Sequence, residues 1–545
     1  MYIATVIPIK KGLNKEYLSY FSLTNIPLGS IVTIPVRSKT IDAIVISTEE
    51  ARDMKSDLKS AEYQLKKIIQ VKGSSPFTEE FFRACVRMKN YTVSSTGTLI
   101  NALLPAVLLE HIAELQIPED RKEIQHSENI KQEKVIFQAL TADRMSFYRT
   151  LIREAFAKKQ SIFLCVPTRY DIENMKAELT KGIEQYIFAF HGDMTKKSII
   201  ESYNKVIEEP HPLLIIGTGM FLSIPRRDIA TLIIEHESSD TYKQIGRPYI
   251  DVRSFAEVLS STKNWKLIYA DTLLRPDTLH RHEQGELGEI HPPLFRLPHV
   301  ERNHVVDMKE EVDEKGLKKF TVLSNTTKKM IEYALAHTEQ VFLFSIRKGL
   351  AGVTVCHDCG HTLLCPTCST PVVLYGAKKH NPTTAITERI FMCNKCGRKE
   401  TTETRCPSCT SWNLVPLGIG TDRVYEEVTR VFPKATVLQI DKESTSTDKE
   451  ARDTMTQFVK TPGSILIGTE MVFSYLHTQV AHSALISLDG LLSIPSFNMS
   501  QKVLHIIEKL HYITDRNLII QTRIPDNQIL KYILSGNVLP LYRED

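Results

Sequence analysis

The sequence predicts an α/β protein: two parallel-sheet lobes, preceded by a small β-rich domain and interrupted by a cysteine-rich insertion. Three observations carry that prediction. Continuous apolar runs at Ser161 to Val166, Leu213 to Thr218, Thr231 to Ile234 and Lys266 to Ala270 alternate with helical patterns, as strands buried on both faces of a parallel sheet do. Short runs rich in Val, Ile and Thr lie among turn residues near the N-terminus. Eight of the ten cysteines form four Cys-x-x-Cys pairs between Cys356 and Cys409.

A chain of 545 residues is too long for one core and predicts three or four domains. Its net charge of +4 permits a nucleic-acid partner through a local basic patch without demanding one. Met1 to Lys11 is apolar first and basic second, the reverse of a signal peptide, and no apolar stretch approaches membrane-spanning length. A cytoplasmic location is expected.

Residues 1–108 read as strands Tyr2 to Pro8, Ile31 to Pro35 and Ile41 to Ser47, then a helix from Phe77 to Lys89. Residues 109–132 are polar and charged, a linker composition. The first lobe spans 133–295, with helical patterns at Ser146 to Lys158, Ile172 to Leu179 and Lys197 to Ile207. His280, His282, His291 and His299 follow among prolines, which favours a surface linker over a metal site. The second lobe takes residues 300–355 and 410–545, with the cysteine block 356–409 inserted after its first strand.

The pairs are Cys356/Cys359, Cys365/Cys368, Cys393/Cys396 and Cys406/Cys409. A two-residue gap lets both thiolates of a pair face one ion, and two pairs complete a tetrahedral sulfur shell. Four pairs therefore predict two closed structural zinc sites, with an iron–sulfur cluster as the other occupant of a four-thiolate shell. Disulfides would need an oxidising compartment, for which the N-terminus gives no signal. Trp412, beside the last pair, is expected to pack over its knuckle rather than to stack a base. Between Cys368 and Cys393 a long loop carries Lys378-Lys379-His380, an extra contact surface or, the reading preferred, a solvated insertion.

Several stretches resemble the PriA replication-restart helicase family. They include Glu16-Tyr17-Leu18, Gly29 to Pro35, Asn90-Tyr91 through Gly97-Thr98-Leu99 to Pro105, Val166-Pro167, His191-Gly192, Gly217-Thr218 and Tyr242-Lys243-Gln244. Beyond the cysteines follow Gly418 to Glu427 (GIGTDRVYEE) and Ile467-Gly468-Thr469-Glu470-Met471. The resemblance covers nearly the whole chain. It implies two RecA-like helicase lobes and an N-terminal domain that holds the 3′ end of a nascent DNA strand. It carries Glu16, Tyr17 and Lys66 onto DNA-contacting positions, and puts Arg37 where the family has a Gly that lets backbone approach the terminal nucleotide. It also implies a nested ligand set: Cys356, Cys359, Cys406 and Cys409 for one ion, and Cys365, Cys368, Cys393 and Cys396 for the other. The family's winged-helix domain has no room in 109–132, and its C-terminal domain is expected to be missing after Asp545.

The family's motor residues are the exception. Its phosphate loop needs a Gly-rich turn ending in Gly-Lys-Ser/Thr, whose backbone N–H groups and ammonium cradle phosphate. Here Ala139 to Ser146 reads ALTADRMS, without Gly or Lys, and Arg144 is the one cation available. The acidic Asp-Glu-Glu-His motif is Glu235-His236-Glu237-Ser238, with His236 in place of the water-activating carboxylate and the two glutamates expected on one face of a strand. Ala270-Asp271-Thr272-Leu273 replaces a coupling motif, and Glu508 to Asp515 lacks both arginine fingers.

The reading that follows is a PriA-like primosomal protein that binds forked or single-stranded DNA, and possible primosome partners, as a non-catalytic zinc-containing scaffold. No catalytic residue is assigned, and ATP with Mg²⁺ is not expected as a cofactor. The rival readings are an active ATP-dependent 3′-to-5′ DNA helicase with a divergent nucleotide site, and a zinc-dependent protein-recruitment module without DNA binding.

Overall fold

The computed structural model describes residues 1–13, 15–52, 65–117, 132–297, 300–311, 321–346, 353–378, 387–393, 396–400, 405–417, 419–442, 444–445, 447–476, 478–494 and 498–544. The chain divides into two compact units, Met1–Leu294 and Phe295–Asp545.

The first unit opens with strands β1 (Tyr2–Pro8), β2 (Leu18–Ser22), β3 (Ser30–Val36), β4 (Lys39–Glu50), β5 (Lys66–Lys67) and β6 (Gln70–Ser74), in the order β5-β2-β1-β4-β3-β6. The two edges belong to one continuous segment. Lys66 and Lys67 pair with Tyr20 and Phe21, and a few residues later Gln70 and Val71 pair with Thr33 and Val32. The sheet therefore closes into a small barrel, which removes its open edges. Alternate residues fill its inside: Ala4 and Val6, Val32 and Ile34, Ala43 and Val45. The Tyr20 hydroxyl donates to the Pro35 carbonyl at 2.9 Å.

Next comes the helix Glu79–Thr92, capped by Thr78 and ended by Val93 in the left-handed region. It buries Phe81, Ala84, Cys85 and Met88 and packs on the helix Val252–Lys263, with Phe81 edge-on to Phe255 at 5.4 Å. The helix Thr96–Leu103 lies so close to β1 that a Cβ on Gly97 would stand 1.9 Å from the Pro8 carbonyl oxygen, so only glycine fits there. Packed chain continues past 108: Leu109, Ile112 and Leu115 are buried. Residues 118–131 of the expected linker lie outside the described residues.

The same unit holds a seven-stranded parallel sheet of β7 (Lys134–Gln138), β8 (Ser161–Cys165), β9 (Ile187–Phe190), β10 (Leu214–Gly217), β11 (Ile229–Glu235), β12 (Lys266–Asp271) and β13 (Gly288–Glu289), ordered β13-β7-β12-β11-β8-β10-β9. The helix expected from Ser146 starts five residues earlier, at Thr141, directly after β7 and the two residues Ala139 and Leu140. The histidine-rich stretch is not the expected linker. His280 and His282 sit on the helix Pro276–Glu283, and His282 is bonded to the Leu287 carbonyl at 3.0 Å. His291 packs 5.9 Å from Phe137, and His299 lies outside the described residues.

In the second unit β14 (Asn303–Asp307) and β15 (Val341–Phe344) precede the cysteine block, which holds β16 (Val353–Cys356), β17 (Val372–Lys378), β18 (Thr387–Cys393), β19 (Lys399–Glu400) and β20 (Leu414–Leu417). Then come β21 (Val437–Ile440), β22 (Ile465–Gly468), β23 (Val480–Leu485) and β24 (Thr514–Thr522), making a parallel sheet ordered β14-β24-β23-β15-β22-β21. The block thus follows the second strand, not the first as expected, because β14 already pairs with β24. The expected loop after Cys368 is largely an antiparallel hairpin of β17 and β18, while Lys379 and His380 lie outside the described residues. No helix among the described residues is long and apolar enough to cross a membrane.

Candidate functional site

Open parallel sheets present ligand sites at the carboxyl ends of their strands, where loops and helix N-termini gather. In the first unit that position is filled from within. The connection from β7 into the helix Thr141–Ala157 is only Ala139-Leu140, and the helix's first turn sends Arg144 back over the ends of β7, β11 and β12. Its guanidinium lies 2.8 Å from a Glu235 carboxylate oxygen, and neither side chain has exposed surface. It also donates to the Ala139 carbonyl and, at 2.9 Å, to the Thr272 hydroxyl. The Tyr148 hydroxyl, one helical turn on, donates to the other Glu235 oxygen.

This network has consistent electrostatics. Burial works against the Arg144 charge, but Glu235, Tyr148 and Asp271 hold its pKa above the ordinary value. Burial and then the Glu235 carboxylate push the Tyr148 hydroxyl well up, so it remains a proton donor. Arg144 is thus paired with Glu235, and both Glu235 oxygens are held by Arg144 and Tyr148.

The two glutamates do not share a strand face. Strand β11 ends at Glu235, and His236 takes φ 52°, which turns the chain. Glu237 goes into a separate buried network, accepting from Arg275 Nε at 2.6 Å, the Arg275 backbone at 3.0 Å and the Thr278 hydroxyl at 2.7 Å. The His236 imidazole stands 3.8 Å from Asp171 and 4.0 Å from Asp271. Sequence reasoning singled out Arg144 and the glutamates but not Tyr148, Arg275 or Thr278. Arg275 and Thr278 follow the end of β12 closely, while Tyr148 lies one helical turn beyond Arg144.

The cysteine block is built from four copies of one turn. In each, the first cysteine's carbonyl accepts from the residue four further on: Gly360, Ser369, Gly397 and Thr410, at 2.8, 2.8, 2.9 and 2.9 Å. Its own N–H donates to the residue five on: His361, Thr370, Arg398 and Ser411. All four closing residues have positive φ, from 53° to 75°. Gly360 and Gly397 adopt it freely, while Ser369 and Thr410 adopt it as non-glycine residues.

These turns gather Cys356, Cys359, Cys406 and Cys409 into one group and Cys365, Cys368, Cys393 and Cys396 into another, with the sulfurs of each within 4.8 Å of one another. The nearest sulfurs are 3.4 to 3.6 Å apart. A tetrahedral ion with Zn–S bonds of about 2.3 Å needs sulfurs about 3.8 Å apart, so the donors fit a metal ion with little adjustment. Burial raises the Cys365 thiol, but the N–H groups of Thr367 and Cys368 bring it down to about 6. The Ser411 N–H favours a Cys409 thiolate, yet neighbouring thiols push it up to about 12. Four thiols this close oppose one another's ionisation, and a cation among them relieves it. Trp412 is half exposed, with the guanidinium of Arg405, the residue before Cys406, 4.3 Å above its ring.

The barrel residues are scattered in role. Glu16 is occupied: its carboxylate accepts from the Thr96 hydroxyl at 2.5 Å and the Thr96 N–H at 3.1 Å, with Lys89 at 3.5 Å. Tyr17 is exposed, and Lys66 is an exposed residue of β5. Arg37 heads the β3–β4 turn at φ 52°, so the backbone adopts a glycine-like conformation under an arginine side chain.

Residues 6–105 match the family model of the PriA 3′ DNA-binding domain. Over 98% of its length the chain is 22% identical to the replication restart protein PriA of Rickettsia conorii, spanning 82% of that protein. It is 23% identical over 74% of its length to PriA of Bacillus subtilis, spanning about half (49%) of that protein. Among solved structures, Mss116p bound to ssRNA and AMP-PNP superposes with a TM-score of 0.43 at 11% identity, over 75% of this chain and 70% of that one. The chain is thus similar along nearly its whole length to PriA replication restart proteins, with a 3′ DNA-binding domain at its start.

Proposed function

We propose that this protein is a PriA-like scaffold of replication restart that binds forked or single-stranded DNA and does not turn over ATP. The observation that carries the reading is the Arg144–Glu235 pair. A phosphate needs backbone N–H groups left open by glycine and a cation free to meet it. Here the connection is two residues long and the cation is already neutralised by a buried carboxylate. An arginine filling its own cleft covers the strand ends whether or not nucleotide is present.

The DNA reading rests on similarity to proteins named for replication restart and on the matched domain. Within it, Lys66, Arg37 and Tyr17 are the contact candidates, and Glu16 acts by bracing the helix Thr96–Leu103. Zinc is the ion proposed for both cysteine groups. It would supply a four-coordinate cross-link with no position left open for chemistry. Primosome proteins are the natural further partners of such a scaffold.

The test is ATP hydrolysis by the purified protein with and without forked DNA, beside DNA binding in the same buffer. Binding without turnover is expected. Turnover stimulated by the fork would overturn the scaffold reading in favour of a helicase with a divergent site. Absence of salt-dependent DNA affinity would favour a protein-recruitment module.

A further inference from the structure

Arg523 links the first cysteine turn to the parallel sheet of the second unit. It follows β24 directly and is 3% exposed. Its Nη1 donates to the Gly360 carbonyl at 3.3 Å. Gly360 closes the turn of Cys356 and Cys359, and its conformation depends on the Gly360 N–H to Cys356 carbonyl bond at 2.8 Å. A Cβ on Gly360 would approach Nη1 to 3.3 Å, so the guanidinium lies directly against this residue. The Arg523 N–H donates at 2.9 Å to Asp489, a carboxylate only 4% exposed in the short helix Leu488–Leu492. The Thr522 hydroxyl bonds its other oxygen at 2.7 Å. The turn is also rooted apolarly, because Val353 and Val355 of β16 belong to the core of the parallel sheet.

We propose that Arg523 is a latch through which metal occupancy of the Cys356/Cys359/Cys406/Cys409 group sets the order of the β24 end and the Asp489 helix. With an ion in place, the turn presents the Gly360 carbonyl to a buried guanidinium. Without it, the first and last cysteine turns keep only the β16–β20 pairing, the His357 N–H to Asn413 carbonyl bond and the Asp358 bonds to Ser411 and Asn413, the Gly360 carbonyl can shift, and the buried Arg523 guanidinium loses a partner. Such a loss is costly in a dry interior and loosens the chain segment that carries the guanidinium, whose backbone N–H is what Asp489 holds. The second cysteine group has no part in this bond, so its ion should leave the Asp489 helix unaffected.

The inference rests on the metal reading of the first group, and the experiment separates the two. Hydrogen exchange of the full chain is followed by mass spectrometry at residues 487–493 and 514–524, with bound metal counted in parallel, before and after chelation. Chelation is expected to speed exchange there about ten-fold. Cys409→Ser should reproduce the effect and Cys396→Ser should not. Arg523→Met should exchange fast while still metal-bound, with less than about two-fold added by chelation. Gly360→Ala, which keeps every charge but crowds the guanidinium, should behave likewise and covers the case in which Arg523→Met fails to fold. A protein that carries two ions yet shows no change on chelation, or the full change in a folded Arg523→Met or Gly360→Ala variant, overturns the latch alone. A protein that binds no ion overturns the metal reading and the latch with it.

Discussion

Arg144 and Glu235 form a salt bridge of 2.8 Å in which neither side chain has any exposed surface, at the end of the sheet where a motor lobe would hold phosphate. Breaking a buried pair strands a charge, which typically costs about 3–5 kcal/mol, whereas replacing both partners by apolar groups is often neutral. Arg144→Met is therefore expected to lower stability by about 3–5 kcal/mol in urea unfolding, and Arg144→Met with Glu235→Leu to recover most of it. A single-variant loss below about 1 kcal/mol would mean that water reaches the pair and the cleft is open.

Lys263, on the helix that faces Glu79–Thr92, is buried, and burial lowers its pKa to about 8 despite Glu80 at 3.8 Å. Between that value and its unfolded value of about 10.4, the native state binds fewer protons than the unfolded state, so stability rises with pH. The gain should reach about 2 kcal/mol from pH 7 to 9.5. Lys263→Met should abolish the rise and be the more stable protein at pH 7. A flat profile in the unsubstituted protein would show that the ammonium stays hydrated.

Each cysteine group should hold one zinc ion, giving two per chain by native mass spectrometry. Chelation should release both and make residues 356–409 sensitive to protease, because metal binding and folding are linked in such modules. Unchanged cleavage after complete metal removal would show that the block stands on its apolar core of Leu363, Val372, Phe391 and Leu414.

Lys66→Ala and Arg37→Ala should weaken binding to single-stranded DNA and each reduce the salt dependence of binding by about one phosphate contact. Glu16→Gln should leave the salt slope unchanged while lowering the melting temperature, since its carboxylate serves Thr96 and Lys89. A slope identical in all three variants would remove the barrel from the DNA interface.

Spacing along the chain was enough to read the parallel lobes and the four cysteine turns, and to see that the phosphate-loop motif is missing. Each depends on residues near in sequence: apolar runs, two-residue gaps, and a glycine that is or is not present. Strand β5 and the barrel's closure were not legible, because a two-residue strand gains its identity only from the partners it meets. The left-handed turns at Ser369 and Thr410 escaped for a similar reason, since neither residue type favours that conformation and the turn's two hydrogen bonds hold it there. Sequence by itself determined that no Gly-Lys-Ser/Thr motif follows β7. Only the tertiary structure decided what replaced it, because Arg144 and Glu235 lie 91 positions apart and meet only when β11 and the helix Thr141–Ala157 pack into one water-free cleft.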